Sequence, residues 1–536
     1  MERTNKPERS NGETSGLGRR SVLQGIGAVG AGSMLGFSGT AGAQEGGRLK
    51  LAQVKSPLEF DPIVLNDVPS AQVADRVFDG LYTYDSGTEI VPKMATDMPE
   101  VSSDGQTYEV TIRDDARFQN GDPVTAEDVK HSFEAPVEEE TENASEVNMI
   151  DTVEVVDEKT ARFQLDFAFG PFMHTLTGNI VPKSVRKEDK EAFNTEQPVG
   201  SGPFEFVEWQ QGDFVRLERW DDYWDDPTPN LAEIEMVPVE EPTTRITSLR
   251  TEENDVIEEI PPQLWDQTQD MQGVEIEDVL GIGYFYLAFN INEGPTTDPL
   301  VREAIDYTFS MDQAVENFIE PTGERQYSPL PRPIAEDWDM PVEEWQEVPH
   351  DKDIEEAQRL FEEADVPEDW EARIIVPPDD KREQLGVTVA NGLQEAGFEA
   401  EVQRFDWGTF LDAYITGDAD EYNMYTLGWA GLPDPNSFMF PLFSTVDEVL
   451  GVTNGTFYEN EEMNEKIVNA RRSADREERR ELYMDVIDTV LNDRVHLPAY
   501  NLKNSFGVRD VVNDFQSHPV TSFELVSEFN NVSVER

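Results

Sequence analysis

The sequence predicts a mixed α/β protein built as two lobes. The chain has 536 residues, which is long enough for more than one domain. Its first half is rich in strand patterns, whereas its second half alternates helices with strands. Apolar residues make up 38% of the chain and aromatic residues 10%, too many for a disordered acidic tail and enough for large cores.

The first half shows the two-residue alternation of half-buried strands. This pattern predicts a strand over residues 108–112 and a hairpin over residues 153–165. Between them, Thr125 and Asp128 form the pattern of a capping box, with Asp in place of the usual Glu. A helix is therefore predicted to start at this point.

The second half predicts helices that lead toward strands. Asp298, which a proline follows, is a favourable N-cap for one helix. Amphipathic helices are predicted over residues 353–364 and 382–396, and Asp475 opens a long helix that ends before the apolar run 495–500. This alternation is typical of an α/β lobe.

The charge of the chain restricts its partners. The 42 Lys and Arg residues face 111 Asp and Glu residues, a net charge of −69, which argues against a nucleic-acid-binding protein. Such a surface is typical of a protein from concentrated salt, where a screening length of roughly 3 Å suppresses self-repulsion. An acidic Ca²⁺-binding surface is the alternative, but no EF-hand pattern supports it. The absence of cysteine excludes disulfides and thiol nucleophiles.

The N-terminal residues 1–43 have the pattern of an export signal. A polar start is followed by Arg19-Arg20, a modestly apolar stretch over residues 22–37, and the small-residue cleavage pattern of residues 41–43. The paired arginines resemble a twin-arginine signal. A membrane anchor is the alternative, but the stretch is shorter and richer in glycine than the roughly 20 apolar residues of a span.

The sequence shows no catalytic chemistry. Its five histidines occur singly and without a zinc-binding pattern. Nucleophile elbows and phosphate-binding loops are also missing. Acidic residues are so numerous that no carboxylate pair identifies a glycosidase. We therefore expect no enzymatic activity, no metal site and no cofactor.

Short blocks in a fixed order give the chain its family resemblance. They are Phe60-Asp61-Pro62, Phe78-Asp79-Gly80-Leu81, residues 90–95, residues 104–129, residues 198–204, Tyr223-Trp224, residues 301–305 with Asp312, Gly428-Trp429, Asp434-Pro435 and Leu497-Pro498. In order and spacing these blocks resemble the family 5 extracellular solute-binding proteins of ABC importers, which include dipeptide, oligopeptide and nickel binders. Residues 104–129 form the most specific stretch.

The resemblance implies a two-lobe α/β fold of the periplasmic-binding-protein type. It is the class II fold in its large dipeptide- and oligopeptide-binding form, with an extra subdomain in lobe I. Lobe I is expected over residues 44–285 and the returning tail 500–536, and lobe II over residues 286–499. The segment Gly281-Ile282-Gly283 marks the expected passage between them.

The same resemblance implies the function. Such a protein captures a peptide or similar solute between its lobes and delivers it to an ABC permease and its ATPase. We expect an exported monomer at the outer face of the cytoplasmic membrane or outside the cell. Two other classes stay open: a secreted hydrolase that reuses the fold, and a cell-surface structural protein with glycosylation acceptors at Asn143, Asn454 and Asn531.

The resemblance also provides candidate ligand-binding residues. They are Ser70, Asn290, Lys381, Arg382, Trp407, Trp429 and Asp434. A tryptophan such as Trp429 stacks on apolar or planar ligand groups, and ordinary core packing is its alternative role. For Asp434 the alternative is a turn that starts a helix.

Two departures from the family pattern concern peptide recognition. Leu432 occupies the place where peptide binders commonly carry an Asp for the α-amino group. Val376 occupies the place of an Arg for the ligand carboxylate, with Lys381 and Arg382 nearby as substitutes. The solute is therefore left open between a peptide, a sugar and another compound, and nickel is disfavoured because no histidines cluster.

Overall fold

The structure of the protein is a computed structural model, and it describes residues 47–536. The predicted export signal, residues 1–43, lies outside the described residues. Within residues 47–536, helices and strands alternate along most of the chain, which confirms the mixed α/β class. None of the helices in this range is both long and apolar enough to cross a lipid bilayer.

The described chain up to residue 280 contains twelve strands and eight helices. The strands are β1 (Arg48–Gln53), β2 (Tyr82–Tyr84), β3 (Ile90–Pro92), β4 (Glu100–Val101), β5 (Thr107–Thr111), β6 (Ile150–Val155), β7 (Thr160–Leu165), β8 (Phe204–Gln210), β9 (Phe214–Arg219), β10 (Glu233–Pro238), β11 (Val256–Glu258) and β12 (Val274–Leu280). The helices are α1 (Val68–Val77), α2 (Ala126–Glu138), α3 (Ala144–Val147), α4 (Phe172–Thr175), α5 (Lys183–Glu188), α6 (Lys190–Thr195), α7 (Pro242–Arg250) and α8 (Pro262–Gln269).

The chain after residue 280 contains ten strands and ten α-helices. The strands are β13 (Tyr284–Phe289), β14 (Gly323–Arg325), β15 (Glu371–Val376), β16 (Glu399–Arg404), β17 (Met424–Trp429), β18 (His496–Arg509), β19 (Val512–Asn513), β20 (Gln516–His518), β21 (Ser522–Glu524) and β22 (Ser533–Val534). The helices are α9 (Pro299–Asp306), α10 (Met311–Phe318), α11 (Arg332–Asp337), α12 (Val342–Trp345), α13 (Ile354–Glu363), α14 (Asp380–Ala396), α15 (Trp407–Tyr414), α16 (Asn436–Phe443), α17 (Glu461–Arg471) and α18 (Arg476–Asn492).

The long strand β18 joins two halves of a twelve-stranded sheet. Its first residues pair with β13 and β14, and its last residues pair with β12 and β11. Where the chain passes from β12 to β13, the N–H of Gly281 donates to the carbonyl of Leu502 at 3.0 Å. We call the part built on β1–β12, α1–α8 and β19–β22 lobe I, and the part built on β13–β17 and α9–α18 lobe II.

Each lobe has its own sheet pattern. In lobe I, β1 pairs in parallel with β10 and β11, while β8 and β9 extend the sheet in antiparallel fashion. In lobe II, β15 pairs in parallel with β16 and β17, and helices α14 and α15 connect these strands. Parallel pairs require such crossover helices, so this pattern confirms the predicted alternation of helix and strand.

A subdomain of lobe I forms a separate four-stranded sheet in the order β4, β5, β7, β6. Helix α2 covers it, and Phe133 of that helix packs 5.1 Å from Phe163 of β7. The antiparallel pair β6 and β7 confirms the predicted hairpin. The capping box of Thr125 and Asp128 is present at the start of α2, also as predicted.

The predicted helix starts of the second half are confirmed. Asp298 accepts a hydrogen bond from the N–H of Leu300 and opens α9, and Asp475 caps α18. Helices α13 and α14 fall within two residues of the predicted ranges. Short-range capping chemistry therefore fixes much of the helical structure of lobe II.

Gly200 leaves no room for a side chain beside the end of α1. A Cβ at this position would lie 1.9 Å from the carbonyl oxygen of Val77. The N–H of Gly202 donates to the same oxygen at 2.8 Å, so Val77 cannot move without loss of that bond. The close approach of two backbones explains the glycines of the block 198–204.

We expect Gly200→Ala to lower the free energy of unfolding by about 2–3 kcal/mol or more, because backbone atoms must shift to admit the methyl group. Gly408→Ala in α15 is the matched control, since the nearest atom to its Cβ is a side-chain oxygen at 3.6 Å. Urea unfolding in high salt measures both. Equal stability of the two variants would contradict the close packing at Gly200.

Candidate functional site

The lobes approach each other beside the passage from β12 to β13. Lys381, in the first turn of α14, places its Nζ 3.7 Å from Oε1 of Glu259, which follows β11 in lobe I. The Glu259 side chain is 56% exposed, so this ion pair contributes at most about 1 kcal/mol. The contact marks the edge of a cleft between the lobes.

A guanidinium lies among aromatic rings on the lobe II side of this cleft. The Cζ of Arg382 is 5.2 Å from the ring centre of Phe285 and 5.8 Å from that of Trp407. Phe285 stacks on Tyr500 with a centroid distance of 4.7 Å and an angle of 9°. Nε of Arg382 has no hydrogen-bond partner within residues 47–536. Because buried charged donors are costly to leave unpaired, this group is suited to a ligand oxygen.

Gly428 allows the cluster to pack. A Cβ at this position would lie 2.5 Å from the ring of Phe285 and 3.2 Å from Nη2 of Arg382. The next residue, Trp429, is half-buried and donates its indole N–H to the carbonyl of Ser437 at 2.8 Å. Gly428 thus lets the backbone approach the ring of Phe285, and Trp429 places a fixed indole ring at the cleft.

Trp407 is the most open residue of this group. Its side chain is 46% exposed at the start of α15, where Asp406 caps the helix. It stacks on Phe410, with ring centres 6.0 Å apart. The structure thus brings Lys381, Arg382, Trp407 and Trp429 together at one end of the lobe II sheet.

The other candidate residues have interior partners. Ser70 is fully buried, and its Oγ accepts hydrogen bonds from the N–H groups of Leu58 and Glu59 at 2.9 and 3.3 Å. Asn290 follows the far end of β13, since Tyr284 pairs with Trp429 and Phe289 with Met424. Six residues of strand separate Asn290 from Trp429 by roughly 20 Å. Ligand contact by Ser70 or Asn290 stays a prediction.

Asp434 belongs to a buried ion pair. Both of its carboxylate oxygens accept from Nη2 of Arg479, at 2.6 and 2.7 Å, and the carboxylate also accepts from the N–H of Asn436. The residue is 1% exposed. His174 of lobe I places Nε2 4.0 Å away. These contacts match the helix-starting alternative, and a ligand contact of Asp434 also stays a prediction.

A cavity of about 630 Å³ lies next to the loop that follows Trp429. Its walls come from the end of α1, from β2 and β3, and from residues 520–529 near the C-terminus. Leu432 is the lobe II side chain that reaches it. The cavity is therefore a second concave region at the junction of the lobes.

An ionic cluster forms one wall of this cavity. Asp225 accepts from Nζ of Lys93 and from Nη1 of Arg113, both at 2.8 Å. Lys93 lies 3.8 Å from Asp79, and the hydroxyl of Tyr223 donates to Asp79 at 3.3 Å. Burial raises the pKa of Asp79 to about 6, although the charge of Lys93 opposes this shift. Two cations and two carboxylates thus share a poorly hydrated site.

Four of the five residues of this cluster lie in the blocks of the family resemblance, but the sequence does not predict that they form one cluster. Asp79, Lys93, Arg113 and Tyr223 each belong to a different block of the family resemblance. A single sequence does not show that these residues lie close together in the folded chain. Glu259, Phe285 and Tyr500 were missed as well, since nothing local to them differs from ordinary strand residues.

Comparison with known proteins identifies the family. The profile described as "Bacterial extracellular solute-binding proteins, family 5 Middle" matches residues 89–448. The chain belongs to this family. Family 5 is a family of solute-binding proteins, and the match covers most of the segment that carries the cleft residues.

Relatives of the chain include a glutathione-binding protein, GsiB, from Pectobacterium atrosepticum, which is 27% identical over 446 residues, 81% of this chain and 84% of the relative. The oligopeptide-binding protein AppA of Bacillus subtilis is 22% identical over 503 residues, 89% of this chain and 90% of the relative. Both alignments extend over lobe I and lobe II.

Solved family 5 structures have the same fold. Helicobacter pylori DppA, in complex with the peptide STSA, gives a TM-score of 0.74 at 23% identity and covers 92% of this chain and 98% of its own. CtaP of Listeria monocytogenes gives 0.80 at 20% identity and covers 92% and 100%. The predicted two-lobe α/β fold is thereby confirmed.

The buried pair of Asp434 and Arg479 predicts a stability effect. We expect Asp434→Asn or Arg479→Met to lower the free energy of unfolding by about 3–5 kcal/mol, because each leaves a buried charge unpaired. The double variant should lose less than the sum of the two. The exposed pair of Arg332 and Glu336 is the control, with an expected effect of about 0.5 kcal/mol or less. Independent, additive losses would contradict the pairing.

The raised pKa of Asp79 predicts a pH effect with a definite sign. The folded protein binds this proton near pH 6 and the unfolded chain near pH 4, so ionisation of Asp79 opposes folding at neutral pH. As the pH falls from about 7 to about 5, wild type should gain about 1 kcal/mol relative to Asp79→Asn. Denaturant titrations of both proteins at matched salt give this difference. A difference that does not change with pH would rule out the shift.

Proposed function

We propose that the protein is the substrate-binding component of an ABC importer that captures a peptide or similar solute in the cleft between its lobes. The observation that carries the proposal is the group of Arg382, Phe285, Trp407 and Trp429, which faces lobe I where Lys381 meets Glu259. Family membership supports the same role. The bound solute is delivered to a membrane permease and its ATPase.

The mechanism is a shift of population between open and closed lobes. A solute that touches both lobes adds interaction energy only to the closed form, so binding favours closure. Lys381 and Glu259 show which surfaces approach, and their weak ion pair leaves the equilibrium sensitive to a ligand. No bond of the solute has to be made or broken.

A peptide is the preferred solute class. The relatives named above bind glutathione or oligopeptides, and the DppA structure contains a peptide. In this chain Arg382 supplies the unpaired donor that a ligand carboxylate or carbonyl needs. Trp407 and Trp429 provide aromatic surface for side chains, which tolerates variation of the peptide.

The proposal also covers the export of the protein and the solvent in which it works. Residues 1–43 act as a twin-arginine-type signal, the mature protein works as a monomer outside the cytoplasmic membrane, and its acidic surface is adapted to concentrated salt. The lobes comprise residues 44–285 with 500–536, and residues 286–499. These statements are supported by the arginine pair, the charge of −69 and the family pattern.

The two alternative functions have weaker support. All three glycosylation acceptors use their side-chain amide in a hydrogen bond to a backbone carbonyl: Asn143 donates to Leu65, Asn454 to Ser444 and Asn531 to Thr228. Asn454 is also 1% exposed. For a hydrolase, no cluster of three metal-ligating side chains occurs in the part of the chain that the structure describes. Turnover of a peptide by the purified protein would favour the hydrolase.

The proposal is tested by ligand-induced compaction. Small-angle scattering at about 1 M salt, where self-repulsion is screened, compares the free protein with mixtures containing glutathione, Ser-Thr-Ser-Ala or a nonapeptide. We expect a smaller radius of gyration with at least one of them. Native mass spectrometry of freshly purified protein reveals a co-purified solute. An unchanged shape across a wide peptide and solute library would contradict the proposal.

Arg382 gives a residue-level prediction. Arg382→Gln should weaken binding of Ser-Thr-Ser-Ala by about tenfold or more, since a charge-assisted hydrogen bond is lost. The same peptide with an amidated C-terminus should bind wild type and variant alike. Arg373→Gln in β15 is the matched control and should leave both affinities unchanged; its side chain is 30% exposed and donates to the carbonyl of Asp420 at 2.7 Å. Equal losses for free and amidated peptide would assign Arg382 to packing.

A further inference from the structure

The cavity beside Leu432 has more acidic groups than its internal ion pairs neutralise. Seven of its lining side chains are carboxylates and three are basic. Two of the three basic groups, Lys93 and Arg113, are paired with Asp225. Lys93 and Arg113 are therefore paired within the wall, and the seven carboxylates outnumber the basic groups that line the cavity.

Asp75 is a carboxylate of this wall that forms no ion pair at short range in the described chain. In the last turns of α1 it accepts one hydrogen bond, from Nδ2 of Asn179 at 3.1 Å, and no basic side-chain nitrogen of residues 47–536 is recorded within 4.0 Å of it. Burial raises the pKa of Asp75, and the charge of Glu524 adds to this shift, although the charge of Arg76 and the hydrogen bond from Asn179 oppose it. An ammonium group placed in the cavity would relieve this cost.

The adjacent residue, Arg76, lacks hydrogen-bond acceptors for two of its nitrogens among the residues described. It lines the same cavity and is 2% exposed, with Nη2 donating to the carbonyl of Phe523 at 2.5 Å. Its Nε and Nη1 have no acceptor in the described part of the chain. Buried donors of a charged group are rarely left unpaired, so these two point to a missing oxygen. This observation is independent of the acidic residues.

A ligand group that satisfies both residues must carry a cation next to a carbonyl oxygen. The amino end of a peptide has this chemistry, because its α-ammonium is separated from the first carbonyl by a single carbon. Resting on the proposed function, we propose that this cavity binds the amino end of the solute, with the ammonium at Asp75 and the first carbonyl at Arg76. The apolar Leu432 then contacts the first side chain at the entrance.

This arrangement moves amino-end recognition into lobe I. The solute extends from the cavity, past Leu432, toward Arg382 in lobe II, so one ligand contacts both lobes. Charge at the two ends is complementary: the cavity is acidic, whereas Arg382 offers an unpaired donor. A ligand is therefore preferred with its ammonium in the cavity and its carboxylate at Arg382 over the opposite orientation.

Small amides test the cavity without the rest of a peptide. At about 1 M salt, alaninamide carries the ammonium and the carbonyl, whereas N-acetylalaninamide lacks the ammonium. Binding is followed by NMR line broadening of each probe with the full-length protein. We expect alaninamide to bind about tenfold more tightly than its acetylated form. Equal binding, or no binding of alaninamide, would overturn the proposal.

Asp75→Asn is the decisive variant because it keeps the shape of the side chain. It should weaken alaninamide binding by about tenfold and raise the melting temperature, since a desolvated charge is removed. A residue that only supported the fold would lower the melting temperature and leave alaninamide binding unchanged. Glu100→Gln, which removes one exposed carboxylate from β4, is the control and should alter neither quantity.

A third probe separates the two sources of an ammonium group. Nα-acetyl-lysine methylamide carries its ammonium on a side chain, far from any carbonyl, and tighter binding of this probe than of alaninamide would overturn the assignment to an amino end. Scattering with peptides is the independent readout of the proposed function. If peptides cause no compaction while alaninamide still binds through Asp75, the importer role alone is refuted. If peptides cause compaction but alaninamide does not bind, only this inference is refuted.

Discussion

The architecture depends on one strand, β18, whose backbone hydrogen bonds are divided between the lobes. His496 to Tyr500 pair with β13, whereas Lys503 to Arg509 pair with β12. The lobe II sheet and the lobe I sheet are therefore continuous through a single piece of backbone. Phe285 and Tyr500, whose rings stack, lie at this point on the neighbouring strands β13 and β18.

The sequence predicted local structure better than it predicted the site. Capping at Thr125, Asp298 and Asp475 was readable because the donor and the acceptor are two or three residues apart. Asp434 was ambiguous because its partner, Arg479, lies 45 residues away, and one sequence does not reveal such a pair. Asn290 illustrates a second limit, since the family resemblance makes both Asn290 and Trp429 candidate ligand-binding residues without revealing that the six-residue strand β13 separates them.

Some arginines of this acidic chain have interior roles. Arg245 donates to the carbonyls of Val239, Glu258 and Glu259, and Arg302 donates to those of Thr296, Thr297 and Asp493. Both side chains are 2% exposed. Cations that satisfy buried carbonyls do not neutralise surface carboxylates, so the surface is more acidic than the composition alone indicates.

The shared strand has a consequence for how the chain can be divided. Because β18 follows α18 and lies between β13 and β11, a fragment that ends before residue 496 lacks one of the two neighbours of β13. Such a fragment presents Tyr284–Phe289, six mostly buried aromatic and aliphatic residues, as an open sheet edge. Open apolar edges recruit strands from other molecules. Synthesis of β18 therefore completes both sheets at once, and a chain interrupted before it is prone to aggregate.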